Sequence, residues 1–123
     1  IDLVSHYEDD IKESRMYFES VMRGDILINR EDIPIRADFA KVYTYLKKIF
    51  PYGTGTVSIK RVSTECDMPY IKLFCIIHAL FEGDIIKYDR TSEFDFRITI
   101  LPTEGKSDLT KTGIMKKILN NYR

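Results

Sequence analysis

The sequence of 123 residues has no tryptophan and only two cysteines, and its 19 basic and 19 acidic residues give a formal net charge of zero. Balanced charge excludes a bulk attraction to nucleic acid or to an anionic membrane, so any such binding must be local. The longest apolar run, residues 73–81, is interrupted only by His78 and falls far short of the roughly 20 residues that span a bilayer. No membrane contact is expected.

The two cysteines, Cys66 and Cys75, have no paired Cys-x-x-Cys spacing. A reduced, cytoplasmic compartment is the simplest interpretation. A zinc site would have to combine both thiols with His78, but zinc sites normally supply four protein ligands, often from a knuckle that is absent here. We therefore expect no metal or other cofactor in this chain, and both thiols as small core residues.

Motifs that carry chemistry are also missing. The sequence has no glycine-rich phosphate loop, no Gly-x-Ser-x-Gly and no His-Glu-x-x-His. The adjacent Asp9 and Asp10 would point about 100° apart on a helix, and His6 and His78 have no nucleophile at a recognisable spacing. The sequence therefore predicts that this chain is not an enzyme. Because it opens with Ile1 rather than Met, we expect a piece of a longer polypeptide with catalysis elsewhere.

Hydrophobic periodicity and turn residues predict mostly helices with one hairpin. The clearest helix has Phe39, Val42 and Leu46 on one face. The predicted elements are a strand at 1–4, a helix at 8–23 stopped by Gly24, a strand-like run at 26–28, a turn at 29–32, a helix at 36–50, a Ser58-capped helix at 59–66, a turn at 67–69, a helix at 69–82 ending at Gly83, strands at 85–88 and 94–101, and a helix at 108–122 weakened by Gly113.

A helix, a helix-turn-helix-like pair and an alternating hairpin in this order have the spacing of a winged-helix domain. The predicted fold class is therefore α+β, with a three-helix core, a hairpin wing, an N-terminal strand and helix, and a C-terminal helix. Residues 1–30 are expected to be an extension or connection to a preceding domain, and residues 31–123 the winged-helix-like domain.

The helix at 69–82 would read duplex DNA in such a fold, but Lys72 is its only clear cation. Its outward face is apolar, which favours one of two interpretations. Either the N-terminal segment or the terminal helix covers it within the domain, or it docks another domain or protein. The candidate docking residues are Tyr70, Ile71, Phe74 and His78, with Cys75 on the same face.

Cations cluster near the C-terminus, where they could contact phosphates while a tyrosine stacks on a base of a single strand. A solvated helix face is the alternative interpretation. A second, smaller cationic patch lies near the predicted cap at Ser58. The candidate nucleic-acid-binding residues are Lys111, Lys116, Lys117, Tyr122 and Arg123 in the first cluster, and Lys60 and Arg61 in the second.

The segment EDIPIRADFAKVYTYL at residues 31–46 resembles the opening of the C-terminal accessory domain of RecJ, the single-stranded-DNA-specific exonuclease, whose members show Ile-Pro-(Ser/Thr)-Arg-x-x-Phe-x-x-Val-Tyr here. Residues 76–86 are similar to the family's helix that ends in an acidic turn before a strand, and residues 109–119 resemble its closing helix. Two positions depart from the pattern. Ile35 replaces the capping hydroxyl residue, and Gly83 precedes Asp84 where the family turns through a later glycine.

The resemblance implies a role in DNA repair and recombination, within a 5′-3′ exonuclease that depends on manganese or magnesium. The Asp-His-His motif that ligates those metals in the family does not occur in this chain. None of the family's catalytic residues is therefore carried over, and catalysis is expected in the N-terminal part of the parent.

Three functions are compatible with these patterns. The domain could help to bind single-stranded DNA, or it could dock the rest of the parent exonuclease or a repair protein. It could also be a free-standing winged-helix transcription or replication regulator, which a basic second helix would have favoured.

Overall fold

The computed structural model describes residues 3–102 and 109–122. Within these ranges the architecture is α+β, with five α-helices and a three-stranded antiparallel sheet. The α-helices and strands are α1 (Leu3–Arg23), α2 (Arg36–Ile49), β1 (Thr54–Ser58), α3 (Ile59–Cys66), α4 (Tyr70–Glu82), β2 (Ile86–Arg90), β3 (Asp95–Ile100) and α5 (Gly113–Asn120). Short 3-10 turns occupy Arg30–Asp32 and Leu109–Lys111.

The first helix begins earlier than the pattern predicts. The expected strand at residues 1–4 is wrong for Leu3 and Val4, which belong to α1, and residues 1–2 lie outside the described ranges. No proline or glycine separates these residues from the strongly helical segment that follows. Extending a helix that has already nucleated costs little, so it overrides the local β preference of Val4.

The predicted end of α1 at Gly24 is confirmed. Gly24 has φ +82°; its N–H donates to Val21 O at 3.1 Å, and the Asp25 N–H donates to Ser20 O at 2.9 Å. This pair of bonds is a Schellman motif, which satisfies the last carbonyls of a helix and requires a left-handed residue. The strand expected at 26–28 is wrong, because a single parallel bridge from Ile28 to Tyr122 is the only β pairing in that run.

The helix predicted at 36–50 is confirmed, and it begins at Arg36 although Ile35 has no hydroxyl group that could cap it. Isoleucine has no side-chain oxygen to accept the first N–H groups of the helix, and the Asp38 N–H donates to the backbone carbonyl of Ile35 at 2.9 Å instead. In return, Asp38 Oδ2 accepts the Ile35 N–H at 2.9 Å. The same carboxylate lies 3.4 Å from Lys72 Nζ on α4. The start of α2 is thereby held against the central helix.

Strand β1 was not predicted. Its residues, TGTVS, include a glycine and bury only Val57, so the sequence carries a weak strand signal. Pairing with β3 decides the conformation, in the register Thr54↔Thr99 to Ser58↔Asp95. The predicted helix after Ser58 is confirmed, with the Arg61 N–H donating to the Ser58 hydroxyl oxygen at 3.0 Å.

The predicted hairpin is confirmed with boundaries shifted by one or two residues, and the sheet order is β1-β3-β2. Directly opposed residues share one face of a sheet, and here the pairs Ile86↔Ile100, Tyr88↔Ile98 and Arg90↔Phe96 do so. Ile86, Phe96 and Ile98 are buried, so this face is turned towards the helices. Lys87, Asp89 and Arg97 lie on the opposite, exposed face.

Helix α4 is the centre of the core. Eight of its 13 residues are buried, and they lie on all sides of the helix. A helix that is apolar all round must be covered all round. Helices α1, α2, α3 and α5 and strand β2 each pack against it. Helices α1 and α5 both pack against α4. This agrees with the interpretation that the N-terminal segment or the terminal helix covers the apolar face of α4 within the domain.

The terminal helix is shorter than expected, because Gly113 lies at its first position rather than inside it. Thr112 precedes it as the cap and accepts the Met115 N–H at 3.4 Å. Glu82, at the end of α4, accepts the Ile114 N–H through Oε1 at 3.1 Å. A Cβ at position 113 would lie 2.9 Å from Glu82 Oε2. The absence of a side chain there lets the carboxylate approach the helix start.

Replacing Gly24 by alanine should lower the free energy of unfolding by about 1 kcal/mol, because alanine pays the cost of left-handed backbone. No atom lies within 4 Å of the added Cβ, so the loss reflects conformation and not a clash. Urea denaturation measures it. Gly24→Asn is the control and should lose less, since asparagine tolerates this region better. Equal losses in the two variants would contradict the explanation.

Removing the carboxylate in Glu82→Ala leaves the Ile114 N–H without its acceptor and should cost about 1 kcal/mol, the usual value of a helix N-cap. Glu82→Gln keeps an oxygen acceptor and should cost less. Glu13→Ala, an exposed change on α1, is the matched control, with an effect within about 0.5 kcal/mol. Urea denaturation together with amide exchange at Ile114 and Met115 checks this. Unchanged exchange there in Glu82→Ala would count against the cap.

Candidate nucleic-acid interface

A groove of about 670 Å³ opens where α1, α4, α5 and the β2–β3 hairpin meet. Pockets of about 300–1,000 Å³ are typical of small-molecule and cofactor sites. Its floor is aromatic and its rim carries charges of both signs. The groove therefore combines an apolar surface with polar groups in the way that a ligand site does.

Six aromatic side chains form a closed circuit at this groove, and we call them the aromatic cluster. Successive ring centroids are separated by 6.0 Å (Phe18–Phe74), 6.5 Å (Phe74–Phe96), 5.6 Å (Phe96–Tyr88), 5.3 Å (Tyr88–Phe81), 6.4 Å (Phe81–His78) and 5.7 Å (His78–Phe18). These distances lie within the range of favourable aromatic pairs. All members except Phe81 line the groove, and Phe81 is 44% exposed at its edge.

The cluster forms because helix and strand periodicities converge. On α4, Phe74, His78 and Phe81 follow each other at spacings of four and three residues, which places them on one side of the helix. Tyr88 and Phe96 lie on the helix-facing side of the sheet, as the register shows. Phe18 completes the circuit from α1. The groups thus come from four separate elements.

The rim carries four cationic residues, Arg15, Arg23, Arg90 and Lys117, and two acidic ones, Glu19 and Glu82. Three of the cations are held by neighbours. Arg23 Nε pairs with Asp25 Oδ2 at 2.9 Å, Lys117 Nζ donates to Met22 O, and Arg15 Nη2 donates to Glu93 O. Arg90 is exposed at the hairpin end. Four cations and two acids thus line the groove, while Asp25 and Glu93, outside the lining, each lie within ion-pair distance of one of the cations.

Arg15 is the least exposed of these cations, with only 12% of its side chain accessible. Its guanidinium lies 5.8 Å from the centre of the Phe74 ring, a cation–π geometry. Its buried Nε has no hydrogen-bond partner among the described residues. Burial lowers the pKa of Arg15, with Arg90 as the next cause, while Glu93 and Glu19 act in the opposite direction.

Two polar side chains meet within the aromatic cluster. The Tyr88 hydroxyl lies 3.4 Å from His78 Nδ1, at the long end of hydrogen-bond distances. Burial raises the pKa of Tyr88, while Arg90 opposes that shift. The phenol therefore stays protonated near neutral pH, where it can donate a hydrogen bond.

The candidate docking residues on α4 are mostly covered. Ile71 and Phe74 are only 6% and 7% exposed, Tyr70 and His78 are half-buried, and Cys75 is inaccessible. Helix α1 packs over this side of α4, because the apolar face of one helix satisfies that of the other. The outward face drawn from the sequence is therefore an internal interface. Phe74 and His78 reach the surface only through the groove.

The cationic candidates separate into two regions. Lys111 and Lys116 are exposed, and Lys117 lies on the groove rim beside them along the chain. Tyr122 is 41% exposed, with the Arg30 guanidinium 5.2 Å from its ring centre, and Arg123 lies outside the described residues. Only the α5 region adjoins the groove.

Lys60 and Arg61 belong to the other region, at the start of α3, and neither lines the groove. Arg61 Nε lies 3.7 Å from Glu65 Oε1, one turn along the same helix. The structure therefore does not bring this second patch together with the cations of α5.

Sequence reasoning missed the convergence of Phe18, Tyr88 and Phe96, and it missed Arg15, Arg23 and Arg90. The i, i+4, i+7 spacing of Phe74, His78 and Phe81 was a readable signal for one side of the groove. The other sides depend on which helix packs on α4, which no local pattern specifies.

The described residues hold no group of three or more histidine, cysteine, aspartate or glutamate side chains placed to bind a metal. Burial raises the pKa of the Cys75 thiol to about 12, and burial also raises the pKa of Cys66. A protonated thiol is a poor nucleophile. None of the helices in the described ranges has the length and apolarity needed to cross a bilayer.

Comparisons of this chain with protein-family models, with curated proteins and with solved structures find no match.

Proposed function

We propose that this chain is a non-catalytic, winged-helix-like domain of a RecJ-type single-stranded-DNA exonuclease, and that it holds the single strand while another part of the parent cuts it. The order α2-β1-α3-α4-β2-β3, with β1 added to the edge of the hairpin, supports the winged-helix assignment. The resemblance at residues 31–46 supports the family, and the role in repair and recombination follows from that family.

One observation carries the binding role, namely that four cationic side chains surround an aromatic floor. Proteins that bind single strands combine a positive groove for the phosphates with aromatic rings on which bases stack. Exposed Lys111 and Lys116 on the neighbouring part of the chain extend the cationic surface beyond the groove. Tyr122 adds an accessible ring nearby along the sequence.

Reading of duplex DNA is disfavoured by the position of α4. In winged helices that read the major groove, the second helix of the pair is exposed and polar. Here Ile71, Phe74 and Cys75 are buried under α1 or other elements. A free-standing transcription or replication regulator would need that surface. Docking of a protein on this face of α4 is disfavoured for the same reason, because these residues are buried.

Charge reversal of Arg90 tests the proposed function. Arg90 is exposed on the groove side of β2, and Lys87 is exposed on the opposite side of the same strand. Arg90→Glu should weaken binding of a labelled 15-nucleotide single strand in fluorescence anisotropy. It should also reduce the slope of log K against log salt by about one, the loss of one phosphate contact. Lys87→Glu, the matched control, should change the affinity less than about twofold.

Two results would contradict the proposal. One is the absence of salt-sensitive binding to single strands at low ionic strength. The other is equal weakening by Arg90→Glu and Lys87→Glu, which would mean that net charge matters and the groove does not. Preference for duplex over single strand would point instead to the regulator.

A further inference from the structure

The groove cations form two pairs at opposite ends of the aromatic cluster. At one end, Arg15 of α1 and Arg90 of β2 both line the groove. At the other end, Lys117 donates to Met22 O, next to Arg23 along the chain. Arg15 and Arg23 are eight positions apart on α1, roughly 12 Å along the axis at 1.5 Å per residue. This span corresponds to about three or four phosphates at the B-form rise of 3.4 Å, and to fewer in an extended strand.

Between the two cationic pairs, the groove presents flat aromatic rings. Phe18, Phe74, His78, Tyr88 and Phe96 line it, and Phe81 offers its ring at the edge. Stacking on such rings does not depend on base identity, since every base has a π-face. A ligand that contacted only the cations would leave these rings unused.

Two carboxylates also line the groove. Glu19 and Glu82 lie among the cations. Carboxylates accept hydrogen bonds from the amino and imino groups of bases. A nucleotide is complementary to this combination of cations and carboxylates, because its phosphate is anionic and its base edge carries hydrogen-bond donors and acceptors.

We infer that the groove accepts one unpaired base of a bound single strand, which stacks on the aromatic cluster while phosphates of the same strand lie on the Arg15–Arg90 and Arg23–Lys117 pairs. This inference rests on the proposed function and adds a base-binding pocket to it. The pocket makes the domain sensitive to bases as well as to backbone charge, so an intact single strand binds more tightly than a bare phosphodiester chain of equal length.

The test compares two labelled 15-mers of equal charge, oligodeoxythymidylate and a fully abasic tetrahydrofuran strand, by fluorescence anisotropy at one salt concentration. The thymidylate strand should bind about tenfold more tightly, the scale of one base–aromatic stack. Phe81→Ala should remove most of that difference while leaving the affinity for the abasic strand unchanged. Tyr52→Ala is the matched control, since Tyr52 is 94% exposed and does not line the groove.

Phe81→Leu provides a second variant that keeps apolar bulk at this position, should the alanine variant fold poorly. It should also reduce the preference for thymidylate, because leucine offers no ring. As an independent readout, a strand carrying one 5-iododeoxyuridine should photocrosslink to members of the aromatic cluster, located by mass spectrometry.

Equal binding of the two strands would overturn the base pocket while leaving phosphate-mediated single-strand binding intact. Crosslinks confined to residues away from the groove would also overturn it. If neither strand binds, the proposed function fails as well. Capture of an acidic peptide in that case, sensitive to Phe81→Ala, would make the groove a protein-docking site.

Discussion

Burial of α4 is the constraint on which the rest of the fold depends. Leu73, Cys75, Ile76 and Ala79 have no accessible surface, and Ile71, Phe74, Ile77 and Leu80 have little. Each fully buried large side chain of this kind contributes about 1.5–3 kcal/mol relative to exposure. That gain is obtained only if every side of the helix is covered. The sheet, α2 and α3 together cover part of the circumference, and α1 and α5 cover the rest.

The groove lies where this covering is incomplete. Helix α1 crosses α4 beside the hairpin, and α5 packs on α4 at the far end, so a wedge of space remains between them. Large rings can line such a space without filling it, and edge-on contacts hold them in place. The circuit of six rings is thus a packing solution for the core boundary.

Charged groups at the same boundary connect the elements around the groove. Glu82 holds the start of α5, and Lys117 holds the last turn of α1. Arg15 and Lys12 both approach Glu93 in the hairpin turn. These contacts connect the three walls of the groove.

Much of the secondary structure could be predicted from local sequence patterns. The Phe39, Val42 and Leu46 spacing determined α2, Ser58 determined the start of α3, Gly24 ended α1, and the alternation through Phe96 and Ile98 determined the hairpin. These signals are local because capping, left-handed turns and side-chain periodicity act within a few residues.

Tertiary contacts decided the rest. Strand β1 exists because β3 offers it a partner, and Leu3 and Val4 are helical because α1 propagates through them. The sequence placed Phe74 and His78 on one face of a helix, but only the packing of α1 determined that this face is internal. The groove joins α1, α4, α5 and the hairpin, residues up to about a hundred positions apart. Such long-range proximity is set by the shared need to bury α4, which no local pattern encodes.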